Sequence, residues 1–598
     1  MTATIAARAE ATLRPGILWM LAAAVGSLVW CVTAQAQTIY PLDRAEILAG
    51  GKFDLKVEFP GAPEQAAVKV TINGQDAAKV LGQTPVFAVQ EDGLSHSAYW
   101  IRGASIKGAG TYMIEATVGD QSSKVAWKVY ATPQKPKAKN VILFIGDGMT
   151  IAHRTAARIL SKGIKEGRYG GNLAIDDMPH MALISTAATN TIVTDSANSM
   201  SAFTTGHKSC NNALGVYCAK NKSNFDHPKV ETIGEAVKRR RNMALGVVTT
   251  TEIEDATPAG MVAHTRRRSD FNEIVEMFYA LKPEVIMGGG SPNFLPNSKA
   301  GSQRKDEQDF IAKFEAAGYA FATTDAEMKA AAAKPETKRL LGLFNTKNLD
   351  GALDRRILKK GSVAQFPDQP DLVDQTKTAL SILAKNPNGF MLMVESGRID
   401  KYMHAMDWER SVFDVIMLDN AVKAAKEWAA KRNDTMIIVV PDHAHPAAII
   451  GNYIDDRPGQ LLRDKLGIYE DAGFPNYPAP DKDGYPATVD VSRRLAFVLG
   501  ASPDTCETGK PFLTGENVPT QASADGKTRV ANEANCTGPL VNRRVGNLPF
   551  EAASGIHAGD DVLLTAMGPG SEQFKGHLEN TAVFRAIATA LGLGVPQK

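Results

Sequence analysis

This 598-residue chain lacks an excess of charge of either sign, because 67 Lys and Arg residues are matched by 65 Asp and Glu residues, for a formal net charge of +2. Such a balance does not attract polyanions, so we predict no nucleic-acid-binding surface. A composition of 44% hydrophobic and 22% charged residues excludes overall disorder. The length exceeds what one hydrophobic core serves, so we expect at least two folding units.

Long apolar runs are absent after residue 36, which leaves no later segment able to span a membrane. The first residues carry Arg8 and Arg14, then an apolar run over 16–34, then the sequence Ala-Gln-Ala at 34–36. This order predicts a signal peptide at 1–36 and hence a periplasmic or secreted protein. The apolar run is also long enough to serve instead as an uncleaved membrane anchor.

Cysteine is scarce, with five residues in the chain, of which Cys31 lies in the leader. The other four are Cys210, Cys218, Cys506 and Cys536. An even number in an exported protein predicts disulfides; of the three possible connectivities, the short separations favour the pairing of Cys210 with Cys218 and of Cys506 with Cys536. A metal site is the weaker interpretation, since neither pair has C-x-x-C spacing.

The chain divides into two parts with different patterns. Residues 37–133 contain short alternating runs, such as FDLKVEF and TYMIEATVG, which predict a small antiparallel, immunoglobulin-like β-sandwich. From 134 to 598, continuous apolar runs alternate with helical segments, which predicts an α/β domain: a doubly wound, mostly parallel sheet with helices on both faces. Stretches at about 292–374 and 446–553 interrupt this alternation, and we expect both to be insertions at the rim of the site.

Acidic residues directly follow several of these apolar runs. Asp147 follows NVILFIG, Glu395 follows GFMLMV, and the pair Asp442 and His443 follows TMIIVVP. These are the carboxyl ends of the predicted parallel strands, where open α/β sheets bind ligands. One acid at such a place is more often a turn residue or a helix cap, so it is the group that predicts a site.

Two further segments offer metal ligands. Asp400 and His404 are four residues apart in a helix-like segment, so both side chains can lie on one face and bind zinc. The alternative interpretation of this pair is a surface ion pair. His557 lies in a glycine-flanked loop before a strand, a suitable place for a ligand delivered from a loop.

Ser196 follows a β-prone run over 191–194 and begins a predicted helix over 197–203. Its hydroxyl would then lie near the positive end of the helix, which favours an alkoxide and a bound phosphate. The alternative is that Asp195 or Ser196 serves only as the N-cap of that helix.

The segment TTTEIEDATPAGMVAHTRRRSD combines possible ligands with a possible phosphate clamp. It contains Asp255 and Thr257, followed by three arginines at 266–268. A planar guanidinium matches two phosphate oxygens, so one of these arginines is a candidate clamp, although spacing does not decide which one.

Taken in order, these motifs make the chain resemble the alkaline phosphatases. The matching stretches, from about Asn140 to Leu593, are NVILFIGDGM, VTDSANSMSAFTTGHKS followed by NALGV, EDATPAGMVAHTRRR, MVESGRIDKYMHA, PDHAH and HAGDDVLLTAMGPG. Six ordered motifs with the right residue types are highly specific. The chain departs from the pattern at Thr150, where many family members have glycine, and the predicted sandwich lies outside the resemblance.

The resemblance implies a role for each candidate residue. Ser196 is the implied nucleophile that becomes a phosphoserine, Arg268 the implied clamp, and two Zn²⁺ ions and one Mg²⁺ ion the implied cofactors. The implied ligands are Asp400, His404 and His557 for one zinc, Asp147, Asp442 and His443 for the other, and Asp147, Thr257 and Glu395 for magnesium. Asp255 and Lys401 match neighbours of the phosphate and magnesium sites in bacterial members. His445 is expected either to orient a ligand or to be a surface histidine.

The implied activity is hydrolysis of small phosphate monoesters, and because the family is commonly dimeric, a homodimer is expected. A sulfatase is disfavoured, since Ser196 is followed by Ala-Asn-Ser where a formylglycine motif needs x-Pro-x-Arg. Two alternatives remain: a phosphodiesterase of the same superfamily, and a cell-surface binding protein with an inactive phosphatase domain. The phosphodiesterases usually lack the third metal site, whereas Thr257 and Glu395 are present here.

Overall fold

A computed structural model of the chain describes residues 37–538 and 540–595. The predicted signal peptide at 1–36 therefore lies outside the described residues. Within the described ranges, no helix combines the length and the apolar character that crossing a membrane requires.

The N-terminal part is built of strands, as its alternating pattern predicts. Its elements are β1 (Thr38–Tyr40), β2 (Glu46–Leu48), β3 (Phe53–Pro60), β4 (Val68–Ile72), β5 (Gln75–Asp76), α1 (Ala77–Leu81), β6 (Val86–Ala88), β7 (His96–Ala104), β8 (Gly110–Val118) and β9 (Gln121–Tyr130). They form a four-stranded sheet in the order β1-β3-β7-β6 and a five-stranded sheet in the order β2-β9-β8-β4-β5. All pairings are antiparallel except β2 with β9.

These two sheets share one apolar core. Leu55 and Val57 of the first sheet are buried in the same cluster as Ile114, Ala116 and Trp127 of the second. Because side chains alternate between the faces of a strand, one face of each sheet supplies this core.

The larger part of the chain alternates strands and helices. Its strands are β10 (Asn140–Gly146), β11 (Ile164–Lys165), β12 (Arg168–Tyr169), β13 (His180–Ile184), β14 (Ala244–Glu252), β15 (Val285–Gly289), β16 (Ala320–Ala322), β17 (Leu340–Leu343), β18 (Phe390–Ser396), β19 (Thr435–Val440), β20 (Ala447–Ile454), β21 (Leu466–Gly467), β22 (Arg493–Leu499), β23 (Thr505–Glu507), β24 (Thr520–Ala522), β25 (Arg529–Ala531), β26 (Asn542–Arg544), β27 (Val562–Met567) and β28 (His577–Leu578). Its helices are α2 (Ile151–Lys162), α3 (Ser196–Thr205), α4 (Ile233–Arg241), α5 (Ala256–Ala259), α6 (Phe271–Leu281), α7 (Phe310–Ala316), α8 (Asp325–Ala333), α9 (Leu372–Leu383), α10 (Arg398–His404), α11 (Trp408–Ala429), α12 (Leu462–Lys465) and α13 (Thr581–Ala590). The run at 191–194, expected to be β-prone, forms no strand.

A ten-stranded sheet organises this part, in the order β16-β17-β15-β14-β18-β10-β19-β27-β13-β28. Its strands pair in parallel, apart from β27, which is antiparallel to both β19 and β13. The mostly parallel sheet predicted from the continuous apolar runs is therefore confirmed.

Both faces of the sheet are covered, because alternate residues of each central strand belong to different cores. Leu143 of β10 packs in a cluster with Phe203 of α3 and Ile587 of α13. Its neighbour Phe144 packs in a second cluster with Leu160 of α2. Burial on both faces requires strands that are apolar throughout, as NVILFIG is.

The two predicted insertions differ in structure. Part of 292–374 extends the central sheet, because β16 and β17 pair in parallel at its edge. The expectation that this stretch lies at the rim does not hold for these strands, which at three and four residues are too short to stand out in the sequence. The stretch 446–553 forms small antiparallel pairs of its own, such as β20 with β22.

Covalent and polar links tie distant segments together. Disulfides join Cys210 to Cys218 and Cys506 to Cys536, the pairing that the short separations favour. At the end of α4, Arg240 donates to the carbonyl of Ala49 in the N-terminal part. The N-terminal sheets are therefore anchored to the larger part of the chain through this helix.

We expect Leu143→Ala to lower the free energy of unfolding by about 2–5 kcal/mol, because it leaves a cavity in the middle of the sheet. Leu143 is fully buried, and β10 has a parallel neighbour on each side. The matched control is Leu183→Ala in β13. Leu183 is 43% exposed, so this substitution should lower the free energy of unfolding by only about 0.5 kcal/mol. Chemical denaturation of both variants measures the difference, and equal costs would contradict this account of the core.

Candidate metal centre and active site

The polar residues that follow the central strands meet at one edge of the sheet. Asp147 follows β10, Glu395 lies at the end of β18, and Asp442 and His443 follow β19. These three strands are adjacent, with β10 between the other two, so their carboxyl ends are also adjacent. The side chains of all four residues are buried.

One group of ligand atoms surrounds the Asp400 carboxylate. Its Oδ1 lies 2.8 Å from Nε2 of His445, 3.2 Å from Nε2 of His404 and 3.3 Å from Nε2 of His557. The Nε2 atoms of His404 and His557 are themselves 3.0 Å apart. Three imidazole nitrogens and one carboxylate oxygen are a donor set that suits zinc. The helix α10 provides the Asp400 and His404 pair, as their spacing predicts.

The orientation of the three imidazoles in this group is set by backbone carbonyls. Nδ1 of His404 donates to the carbonyl of Gly555 at 2.6 Å, and Nδ1 of His557 donates to the carbonyl of Thr194 at 2.8 Å. Nδ1 of His445 donates to the carbonyl before His557 at 3.0 Å. With the proton on Nδ1, Nε2 of His404 and of His557 keeps a lone pair for a cation bound between these rings and the Asp400 oxygen. His445 is buried, so the expectation that it is a surface histidine is wrong.

A second group lies between β10 and β19. Nε2 of His443 is 3.2 Å from Oδ1 of Asp147, 3.4 Å from Oδ2 of Asp442 and 3.2 Å from Oγ of Ser196. Asp400 also has a ligand atom within reach of the Asp147 and His443 pair, so the two groups are contiguous.

Several buried polar atoms of the second group have no hydrogen-bond partner among the described residues. They are Oδ1 of Asp147, Oδ2 of Asp442 and Nδ1 of His443. Burial and the nearby carboxylates of Asp442 and Asp400 raise the pKa of Asp147 well above its usual range. Orphaned carboxylate oxygens that face like charges fit a bound divalent cation, which supplies the missing partner and the opposite charge.

Ser196 is the first residue of α3, and the side chain that caps this helix belongs to Asp195. Oδ1 of Asp195 accepts from the backbone amide of Asn198 at 3.1 Å. The N-cap interpretation therefore applies to Asp195, and the Ser196 hydroxyl is left to face His443. Ser196 is only 2% exposed, so its hydroxyl lies at the floor of the site.

Of the three arginines at 266–268, Arg268 is the one that enters the site. Its Nη1 lies 3.3 Å from Oδ2 of Asp195 and its Nη2 lies 2.8 Å from Oδ1 of Asp255. Asp255 also binds Nζ of Lys401 at 2.9 Å. Burial opposes ionisation of Asp255, but the charges of Lys401 and Arg268 prevail and hold its pKa below the usual value.

Glu395 lies beside two threonines that the sequence motifs do not single out. Its Oε2 accepts hydrogen bonds from the hydroxyls of Thr249 and Thr251, the second at 3.2 Å. The two threonines are two residues apart on β14, so they lie on the same face of that strand, and this spacing is the signal that could have identified them. Thr257 is buried on α5, but in the described chain no hydrogen bond joins its hydroxyl to Glu395 or Asp147.

The turn after Asp147 depends on a glycine. Gly148 has a φ of +65°, and a Cβ there would lie 2.7 Å from the His445 ring. Thr150, the departure from the family pattern, is the N-cap of α2 and accepts from the amide of His153. The substitution therefore has a local structural role in starting that helix.

Comparisons with known proteins agree with this geometry. The sequence profile of the family described as alkaline phosphatase matches residues 138–593. Alkaline phosphatase H of Pseudomonas aeruginosa (strain UCBPP-PA14) is 33% identical over 353 residues, which cover 53% of this chain and 71% of the relative. The alkaline phosphatase of Escherichia coli (strain K12) is 32% identical over 370 residues, which cover 56% of this chain and 74% of the relative.

A solved structure supports the fold. The crystal structure of Thermus thermophilus alkaline phosphatase superposes with a TM-score of 0.54 at 23% identity, covering 77% of this chain and 93% of the other. At that identity the likeness concerns the fold alone. The profile match and the relatives carry the assignment, and this chain belongs to the alkaline phosphatase family of phosphomonoester hydrolases.

Proposed function

We propose that this protein hydrolyses phosphate monoesters through a covalent phosphoserine on Ser196, with two Zn²⁺ ions and one Mg²⁺ ion as cofactors. The observation that carries the proposal is the position of the Ser196 hydroxyl. Its Oγ lies 3.2 Å from Nε2 of His443, which lies 3.2 Å from the unpartnered Oδ1 of Asp147. A serine hydroxyl is a weak nucleophile until a base or a bound cation activates it. The donor atoms of His443 and Asp147 can hold such a cation beside Oγ of Ser196.

The proposed ligand sets follow the two groups of donor atoms and the nearby glutamate. They are Asp400, His404 and His557 for one zinc, Asp147, Asp442 and His443 for the other, and Asp147, Thr257 and Glu395 for magnesium. When bound, the ions supply positive charge that lowers the pKa of a hydroxyl and neutralises the oxygens of the dianionic ester.

The proposed reaction has two displacements at phosphorus. Oγ of Ser196 attacks the phosphorus atom and loses its proton, the P–O bond to the substrate alcohol breaks, and the alcohol leaves as it gains a proton. Water then attacks the phosphoserine, the bond between Oγ and phosphorus breaks, and inorganic phosphate is released while Ser196 regains a proton. The position of Ser196 at the N-terminus of α3 favours the negative charge present in both steps.

Arg268 is proposed to bind two non-bridging oxygens of the phosphate. Its guanidinium is held between Asp195 and Asp255, which fixes the plane of its donors before the substrate arrives. Asp255 is proposed to orient this arginine and to balance its charge, and Lys401, which binds Asp255, is proposed to hold that carboxylate in place. A preorganised clamp lowers the cost of binding and holds phosphorus near the nucleophile.

Export through the leader and assembly as a homodimer remain predictions. The leader lies outside the described residues, and the N-terminal sheets are proposed to form a domain over 37–133, followed by the catalytic domain.

His445 is proposed to orient Asp400, because its Nε2 lies 2.8 Å from the Oδ1 of that carboxylate.

We expect Ser196→Ala to reduce kcat for a phosphate monoester at least about a thousandfold, because it removes the proposed nucleophile, whose Oγ lies 3.2 Å from Nε2 of His443. Steady-state kinetics with an aryl phosphate measure the loss, and elemental analysis should find the metal content largely unchanged. Ser185→Ala, which removes a serine hydroxyl bonded to Glu579 away from these ligands, is the matched control. Normal turnover in the Ser196 variant would overturn the nucleophile assignment.

We expect removal of metal by a chelator to abolish turnover and to lower thermal stability, because the buried carboxylates then lose their counter-charge. Ions bound only by the folded state contribute about 4 kcal/mol when free ion exceeds the dissociation constant a thousandfold. Addition of Zn²⁺ and Mg²⁺ together should restore both properties. Full activity in metal-depleted protein, checked by elemental analysis, would contradict the proposed cofactors.

We expect faster turnover of a phosphate monoester than of the corresponding diester at alkaline pH. The reason is that Arg268 and the cations match the two negative charges of a monoester, whereas a diester carries one. The values of kcat/KM for the aryl phosphate and its methyl aryl diester measure the preference. A higher value for the diester would favour the phosphodiesterase alternative.

A further inference from the structure

A buried lysine lies at the boundary between the N-terminal sheets and the rest of the protein. Nζ of Lys56 is 2.8 Å from Oε1 of Glu58, 2.8 Å from Oε2 of Glu91 and 2.8 Å from Oδ1 of Asn221. Lys56 is fully buried, and Glu58 is 2% exposed. The first two partners belong to the N-terminal part, whereas Asn221 belongs to the catalytic part.

This cluster contains carboxylate and imidazole groups that could bind a metal ion, but the ammonium of Lys56 already lies between the two carboxylates. Glu58, Glu91 and His96 place ligand atoms close to one another. The ammonium of Lys56 binds both carboxylates, and Trp100 donates from Nε1 to Glu91 at 2.6 Å. Buried charges that are paired in this way hold one geometry, because separating them would leave an uncompensated ion.

Besides α4 and the C-terminal residues, the N-terminal sheets contact residues 206–232 of the larger part, which we call the connecting segment. It runs from the end of α3 to the start of α4. The hydroxyl of Tyr40 donates to the carbonyl of Cys218 at 3.1 Å, and the amide of Lys220 donates to Oε1 of Glu58 at 2.7 Å. Asp54 exchanges two hydrogen bonds with the backbone of Lys229, at 2.8 and 3.1 Å.

The other side of the connecting segment contacts the phosphate-binding groups. The amide of Asn212 donates to Oδ2 of Asp195 at 3.0 Å, and its carbonyl accepts from the amide of Arg268 at 2.8 Å. Oδ1 of Asn211 accepts from the amide of Asp195 at 3.2 Å. Asn211 and Asn212 thereby fix both the residue before Ser196 and the backbone of the clamp.

The two sides of the segment are joined covalently. The disulfide between Cys210 and Cys218 links the residue beside Asn211 to the residue whose carbonyl Tyr40 binds. The disulfide closes the loop between Cys210 and Cys218, which are eight residues apart. A displacement at the contact with Tyr40 is therefore transmitted to Asn211 and Asn212, whereas an open, flexible loop would absorb it.

We propose that the N-terminal sheets are a positioning element of the active site: through Tyr40, Lys56 and the connecting segment they hold Arg268 and Asp195 in the geometry that binds phosphate. This rests on the proposed function for the role of Arg268. Tyr40 and Lys56 touch no substrate, so they act through the segment as positioning residues.

The deciding variant is the double substitution Tyr40→Phe with Asn221→Ala. It removes two hydrogen bonds between the sheets and the segment, while Lys56 keeps both carboxylate partners and no buried charge is left unpaired. In the metal-loaded protein we expect Ki for inorganic phosphate and KM for an aryl phosphate to rise together about threefold to tenfold. Hydrogen exchange at the amides of Asn212 and Arg268 should become faster. Lys56→Gln is the second variant and should have the larger effect.

The control is Lys124→Met, which breaks an exposed ion pair with Glu115 in the same N-terminal part. It should leave Ki, KM and amide exchange unchanged. Values of Ki and exchange in both test variants equal to those of the control would overturn the proposal, even if their melting temperatures fell, because that is the result of a merely structural role. Absence of monoesterase activity in the metal-loaded wild type would instead count against the proposed function, and exchange at Arg268 would still test this inference.

Discussion

The site depends on the compensation of buried negative charge. Asp147, Glu395, Asp400 and Asp442 are each no more than 2% exposed and meet at one sheet edge. Burial and the neighbouring carboxylates raise the pKa of Asp147, whereas at Asp400 burial is outweighed by the contacts with His404, His445 and His557, which hold its pKa below the usual range. Cations bound between these carboxylates relieve the repulsion and also provide the positive field that a phosphate dianion requires. The same charge requirement thus couples stability to the proposed chemistry.

A rigid frame makes that arrangement possible. Adjacent parallel strands fix the carboxylates, while a loop brings His557 beside them, and backbone carbonyls such as that of Thr194 set the direction of its ring. The proposed nucleophile, Ser196, comes from a different element, the first turn of α3. The precision of the site therefore comes from the contacts between segments that are far apart in the chain.

The N-terminal part solves the same electrostatic problem in another way. Glu58 and Glu91 share the ammonium of Lys56, a cation attached to the chain. A lysine cannot be removed by a chelator and offers no open coordination position, so this cluster suits a permanent structural contact. At the sheet edge the unpartnered oxygens of Asp147 and Asp442 lie beside His443, which contacts Ser196, and these oxygens suit an exchangeable ion and a substrate.

The sequence by itself determined the parallel sheet, since NVILFIG and similar runs are apolar on both faces, and it placed Asp147, Glu395 and Asp442 at the strand ends. The order of the motifs indicated the family, and the resemblance implied Ser196 as the candidate nucleophile. Only the tertiary structure decided that Asp195 rather than Ser196 caps α3, and that Thr249 and Thr251 bind Glu395. It also decided that β16 and β17 extend the sheet. Local spacing indicates which residues lie on the same face of one helix or strand. These outcomes depend instead on contacts between segments that are distant in the sequence, and spacing does not encode such contacts.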